Sequence, residues 1–278
     1  MIEHVEGQLP GAGKSKLYWQ GWVDDSASTR GLVLVSHGMH EHGGRYEWVG
    51  HQLAAQGYPV YAIDHAGHGR SDGPRGQLGR MSEVVDGVDA LLTLASSRQP
   101  DVPRYLLGHS LGALITLQYV TGNPQALDGV VVSGPPLVQD VISPVQAAAA
   151  RVMSRVAPNL GIAELESTLV SRDPEVVHYH HTNPLMVRGK VRARTAAESM
   201  AAVNGIRHRL PRLRVPLLVM VGMEDKLVDP AGADLAMELV GSTDKALKRY
   251  VGLHHEVLNE PEKEVVLGDL VQWLKEHS

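Results

Sequence analysis

The sequence predicts an α/β fold with a mostly parallel central sheet, and three observations predict it. Short apolar runs alternate with amphipathic stretches along most of the chain, the pattern of strands joined by crossover helices. One such run, Tyr105-Leu106-Leu107, leads into Gly108-His109-Ser110-Leu111-Gly112 and then an apolar helical stretch, so it reads as strand, sharp turn, helix. The alternation breaks once, over residues 137–212, where helix and loop patterns appear without a convincing strand, as expected of an insertion on the sheet. A chain of 278 residues, 43% hydrophobic and 21% charged, has room for this as one large domain.

From the amino terminus, residues 17–23 alternate and predict an early edge strand of a hairpin, and residues 32–35 form a short buried strand ending at Ser36-His37-Gly38. A helix over residues 46–56 stops at Gly57, and a strand over residues 60–63 opens onto a glycine-dense loop, residues 64–79. Val84, Val85, Val88, Leu91, Leu92 and Ala95 recur at helical spacing, giving a helix over residues 82–97. Strands come next over residues 105–107 and 129–133. Beyond the insertion come strand 217–221, helix 231–240, strand 247–251 and helix 261–275. Within the insertion, Ser143-Pro144 reads as N-cap and first helical residue. Val141, Val145, Ala148, Ala149, Val152, Met153 and Val156 then share one helix face, opposite Gln146, Arg151, Ser154 and Arg155. Such a stripe is expected to pack down on the domain; alternatively it forms a lid that lines an acyl pocket or touches lipid.

Composition excludes several classes. A net charge of −5 argues against a nucleic-acid partner. The absence of cysteine removes disulfides, thiolate metal sites and cysteine nucleophiles. No secretory leader is visible in residues 1–16, and no uncharged run is long enough to span a bilayer. The expected location is cytoplasmic or peripheral to lipid. His37, His40, His42, His65 and His68 cluster on two loops, but the H-x-H-x-D-H order is absent, and His255-Glu256-Val257-Leu258-Asn259 fails H-E-x-x-H at its last residue. Gly13-Lys14-Ser15 lacks the leading glycine of a phosphate-binding loop, with Gln8 in its place, and no strand is expected to lead into it, so it reads as a plain loop.

Ser110 at the apex of a G-x-S-x-G elbow is a candidate nucleophile. Its flanking glycines let strand and helix nearly touch, and the following helix turns its N–H groups toward a reacting carbonyl. A serine hydroxyl needs a base, and the base needs an orienting acid. Strand 217–221 ends in Gly222-Met223-Glu224-Asp225 and strand 247–251 in Gly252-Leu253-His254-His255, both at carboxyl strand ends, where open α/β sheets place their sites. Spacing leaves Asp225 in competition with Glu224 and Asp229, and His255 with His254. The backbone N–H groups of Leu111 and Met39 are candidate oxyanion donors.

The run from His37 to Tyr46, the loop from Asp64 to Gly73, the elbow with Leu111, and Gly222 to Asp225 together resemble the monoacylglycerol lipases, bacterial members above all. The likeness extends through His255 and is weakest in the insertion. It implies an α/β-hydrolase fold with a helical cap over an apolar acyl tunnel, the triad Ser110, Asp225 and His255, action on monoglycerides, and no cofactor or metal. Glu41 and Arg45 match family residues near the glycerol end, where they either contact the alcohol or hold the loop. Leu258 stands where mammalian members carry a second histidine. The implied partner is a small lipid ester, with transient contact to a lipid surface through the cap. Lysophospholipases, broad-range carboxylesterases, thioesterases and carbon–carbon bond hydrolases share such a triad, whereas dehalogenases and many epoxide hydrolases carry aspartate where Ser110 stands.

Overall fold

Eight strands hydrogen-bond into one sheet whose carboxyl ends gather the candidate nucleophile, base, acid and oxyanion donors. The computed structural model describes the chain except residues 25, 27, 123–126 and 139–143, and the side chains of 144–147. Strands β1 (Glu3–Pro10), β2 (Lys16–Val23), β3 (Leu32–Ser36), β4 (Val60–Ile63), β5 (Arg104–His109), β6 (Gly129–Ser133), β9 (Leu217–Gly222) and β10 (Lys245–Tyr250) lie in the order β1-β2-β4-β3-β5-β6-β9-β10. The β1–β2 and β2–β4 pairs are antiparallel and the rest are parallel.

The pleat sorts side chains to two cores. Leu32 and Leu34 of β3 and Val130 and Val132 of β6 face a layer built with α2 (Met81–Arg98) and α3 (Leu111–Gly122). Val33, Val35 and Val131 face the opposite layer, with α1 (Glu47–Ala54) and α8 (Lys263–Glu276). Because both faces are covered, these strands read as continuous apolar runs. Helix α7 (Ala231–Leu239) joins β9 to β10.

Two expectations at the amino terminus need correction. The strand over residues 17–23 is interior, because β1 pairs along its outer side from Glu3↔Val23 to Pro10↔Lys16. β1 escapes notice because only Val5 and Leu9 of its inward positions are apolar, with Gly7 between them, so its alternation is faint. A strand therefore does lead into Gly13-Lys14-Ser15. The next element is β2 rather than a helix, so the triplet is a hairpin turn, with Gly13 at φ +65°.

Between β6 and β9 the described residues add nothing to the main sheet. It forms α4 (Pro144–Val156), α5 (Pro174–Thr182) and α6 (Ala193–Arg209), and α6 packs on both α3 and α4. It also forms a small antiparallel pair, β7 (Gly161–Ala163) with β8 (Val191–Arg192), too short to leave a periodic signal. Ser143 and Val141 lie outside the described residues, as does the side chain of Val145. On α4 the described stripe is turned outward: Val152, Met153 and Val156 are 58%, 40% and 79% exposed, while Ser154 is buried. The expectation that this stripe packs down on the domain is overturned: its described residues are exposed, and among the described side chains of α4 only Ser154 is buried, on the side facing α6. Among the described residues, no helix is long and apolar enough to cross a membrane.

Candidate active site

Ser110 sits at φ +54°, a left-handed conformation that a non-glycine residue adopts only when its surroundings enforce it. The enforcement is visible. The Ser110 N–H donates to the Ser133 carbonyl at 2.8 Å, tying the elbow to β6. A Cβ on Gly108 would collide with the Gly112 carbonyl and the Thr116 hydroxyl, and one on Gly112 would collide with the Ser36 carbonyl. The two glycines bring α3 against the ends of β5 and β3, and so place Ser110 beside the loop that follows β3.

Asp225 and His255 meet. His255 Nδ1 lies 2.6 Å from Asp225 Oδ2, and both side chains are buried. The other carboxylate oxygen, Oδ1, accepts the N–H groups of Leu227 (2.9 Å) and Val228 (3.0 Å), which fixes its orientation. The neighbours that spacing left in competition are placed elsewhere. Glu224 is exposed, and Asp229 accepts the Ala231 N–H at 2.9 Å at the start of α7. The Nδ1 of His254 is buried without a partner among the described residues.

The His255 ring stands beside the elbow, its centroid 4.6 Å from that of His109. No hydrogen bond joins Ser110 Oγ to His255 in this structure; catalytic contacts of this kind are often long before substrate binds. Gly134, at φ +56°, makes room for the imidazole, since a Cβ there would stand 3.0 Å from Cε1 and 3.1 Å from Nδ1 of His255. Burial, then the nearby His255, pushes His109 down to about 3, so it is a neutral wall at neutral pH. Its Nδ1 pairs with Ser133 Oγ at 3.2 Å.

Met39 follows β3 and Leu111 opens α3. Among the described residues, neither backbone N–H has a hydrogen-bond partner, so both donors are free at the elbow. The β3 loop that carries Met39 is held from three sides. Glu41 Oε1 accepts the Gly38 N–H in a very short contact and the Tyr46 hydroxyl at 3.1 Å. Asp64 accepts the N–H groups of Gly43 (2.7 Å) and Arg70 (2.8 Å), joining this loop to the glycine-dense one. His37 Nε2 accepts the His65 N–H at 3.0 Å, and His65 Nε2 meets Ser36 Oγ at 2.9 Å. The loop histidines therefore spend these nitrogens on the backbone and on Ser36.

Arg45 is buried between two carboxylates. Its Nη1 donates to Glu41 Oε2 and Glu256 Oε1, both at 2.7 Å, and its Nη2 donates to Glu256 Oε2 at 2.6 Å. Glu41 and Arg45 thus hold the β3 loop and anchor it to the residue after His255. Burial pushes the Glu256 carboxyl up, but Arg45 and His180 outweigh it and hold it well below the usual range. Burial and the adjacent Glu256 raise Glu41 despite Arg45. His180 of α5 reaches Glu256 Oε1 at 3.1 Å, and the Val187 N–H donates to the His40 carbonyl at 2.8 Å. The segment between β6 and β9 thereby touches both loops of the site. Leu258 is buried beside Arg45 and His109, so the polar partner on this loop is Glu256.

Sequence reasoning missed Gly134, His109 and the Glu256–Arg45–His180 group. Glu256 had a signal, but only as the second residue of a failed zinc motif. The other partnerships connect residues far apart in the chain.

A strained serine elbow, a buried Asp–His pair beside it and two N–H groups without partners among the described residues come together at the carboxyl ends of the strands of an α/β-hydrolase fold. Residues 27–262 match the family model described as serine aminopeptidase, S33. The chain is 39% identical over 273 residues to a monoacylglycerol lipase of Mycolicibacterium smegmatis, covering 98% of this chain and 97% of that one. It is 33% identical to the monoglyceride lipase of Mus musculus, over 92% of this chain and 85% of that one. The crystal structure of Paleococcus ferrophilus monoacylglycerol lipase superposes with a TM-score of 0.84 at 30% identity, over 94% of this chain and 99% of that one. The chain belongs to this serine hydrolase family, alongside the monoacylglycerol lipases.

Proposed function

We propose that this chain hydrolyses carboxylic esters, monoacylglycerols in particular, to a fatty acid and glycerol through an acyl-enzyme on Ser110. The observation that carries the chemistry is the buried 2.6 Å Asp225–His255 pair standing against the elbow. The monoacylglycerol lipases to which the chain is similar support the substrate.

Ser110 Oγ attacks the ester carbonyl as its proton passes to His255 Nε2. Asp225 holds the tautomer with the proton on Nδ1 and supports the imidazolium that forms. Negative charge develops on the former carbonyl oxygen, and the N–H groups of Met39 and Leu111 receive it. Collapse breaks the ester C–O bond, and His255 returns its proton to the departing glycerol oxygen. Water then attacks the acyl-enzyme while giving a proton to His255. That proton returns to Ser110 Oγ as the fatty acid leaves. Glu41 and Arg45 act as positioning residues beneath the alcohol end, keeping the Gly38–Met39 backbone aimed at the oxyanion.

The segment over residues 137–212 is the cap in this reading. The exposed apolar side of α4 meets the lipid from which the substrate is drawn, so the protein works at a lipid surface without crossing it. A panel of mono-, di- and triacylglycerols with a lysophospholipid and a soluble short-chain ester tests this. Monoacylglycerol should be turned over fastest, and Ser110→Ala should remove activity on every ester by several orders of magnitude. A preference for the lysophospholipid would overturn the substrate, and an active Ser110→Ala would overturn the nucleophile.

A further inference from the structure

Helices α4 and α6 and the start of α2 enclose an open groove of about 700 Å³, lined by Arg80, Ser82, Arg151, Arg155, Arg194 and Glu198 among others. Among the described residues, four guanidinium groups face one carboxylate there, on a chain whose net charge is −5. That carboxylate is already engaged. Glu198 Oε1 lies 3.1 Å from Arg194 Nη2, and Oε2 accepts the Met81 N–H at 2.8 Å. Arg80, Arg151 and Arg155 have no ion pair among the described residues, and the Nε of Arg194 is buried without a partner. Glu83, on the same helix as Ser82, accepts the backbone N–H of Arg80 at 2.9 Å. Like charges gathered this way repel one another, and an anion in the groove relieves the repulsion. The planar guanidinium fork matches phosphate oxygens two at a time.

The helix that supplies Arg151 and Arg155 also decides what the anion is attached to. At 3.6 residues per turn, Val152 lies about 60° around the α4 axis from Arg155. The exposed side chains of Val152 and Val156 therefore flank the arginine side of the helix, at about 60° and 100° from Arg155, with Met153 beyond them. Free phosphate would use the arginines and leave the apolar flank in water. An amphiphile uses both. The geometry points to the groove as a binding site for the phosphate headgroup of anionic phospholipids, engaged while the flank of α4 lies in the acyl boundary. This rests on the reading that α4 meets lipid and adds to it a charge-selective contact. The result is attraction to anionic surfaces, which weakens as salt screens it.

Vesicle co-sedimentation of the full chain carrying Ser110→Ala tests the site, because binding is then read without turnover. Vesicles containing phosphatidylglycerol should bind at least about tenfold more tightly than phosphatidylcholine alone, at a few-fold per arginine. Arg151→Gln with Arg155→Gln should remove most of that excess, while Arg151→Lys with Arg155→Lys should keep much of it. With Ser110 intact, both pairs should leave turnover of a soluble short-chain ester unchanged, which also shows that they fold. Equal binding of the two vesicle types, or an undiminished excess in the glutamine pair, would overturn the site. Inorganic phosphate that binds the groove tightly and abolishes vesicle binding would overturn its assignment to lipid. Should the glutamine pair fail to fold, a salt titration of the parent protein decides. A phosphatidylglycerol excess that survives high salt overturns the proposal, and one that vanishes upholds it. A chain that binds these vesicles but hydrolyses no monoacylglycerol would sink the proposed activity and leave the headgroup site standing.

Discussion

Arg45 and Glu256 form a buried two-point ion pair, at 2.7 and 2.6 Å, between positions 211 residues apart. Through it the loop carrying Met39 and the loop carrying His255 are held at one distance. Removing one partner of such a pair leaves an uncompensated buried charge, at a cost of about 3–5 kcal/mol. Arg45→Met should therefore lower the free energy of unfolding in denaturant by that order and reduce kcat on a soluble ester. Wild-type stability in this variant would mean that the pair does not organise the site.

Gly134 offers a test of the room given to His255. An alanine there must adopt a left-handed conformation, costing roughly 1–2 kcal/mol, and its Cβ would press on the imidazole at about the 3.0 Å separation the backbone dictates. Gly134→Ala should retain the fold and lose at least an order of magnitude in kcat, measured on a short-chain ester. Unchanged kcat would show that the ring has space to spare.

His254 and His255 separate by substitution. His255→Ala should be as damaging as Ser110→Ala, because Asp225 pairs with His255, whereas His254→Ala should cost little. Steady-state kinetics on one soluble ester would expose the reverse assignment.

Stability should fall in mild acid. Burial is the largest cause pushing His65 and His109 down to about 3, His40 and His42 to about 4, and His37 and His68 well below the usual range. Each is neutral in the fold yet takes up a proton near pH 6.5 when unfolded. The stability it contributes is complete above that pH and is lost at about 1.4 kcal/mol per pH unit below it. Asp64 works in the opposite sense. Burial raises it to about 6, so the fold gains from this one proton between roughly pH 6 and its unfolded value near 4. Glu41, also raised by burial, works in the same sense as Asp64; six histidines outweigh two carboxyls, and the melting temperature should drop steeply between pH 6.5 and 5. A flat melting curve over that interval would contradict the neutral cluster.

The exposed flank of α4 predicts a split between substrates. Val152→Asp or Met153→Asp should lower activity on long-chain monoacylglycerols more than on a short soluble ester. Equal losses on both would place these residues in the fold's stability instead of its lipid contact.

Much of this architecture was legible from periodicity. The strands at residues 60–63 and 129–133 coincide with β4 and β6, and the elbow with the turn between β5 and α3. Buried parallel strands and glycine-bounded turns owe their form to local patterning, which a linear reading detects. β1 and the β7–β8 pair were lost because an edge strand and strands of two or three residues carry little pattern.

The order of residues by itself determined the fold class, the elbow with its glycines and the strand ends where an acid and a base would stand, because each follows from short-range spacing and backbone sterics. Spacing left Asp225 level with Glu224 and Asp229, and the family resemblance pointed to Asp225 before the structure showed it meeting His255. Only the tertiary structure decided that Arg45 spans Glu41 and Glu256, and that α4 turns its apolar side outward. Those outcomes depend on which surfaces other elements cover. A helix records in its residues that it has two faces, but α6, packed against one of them, settles which face meets water.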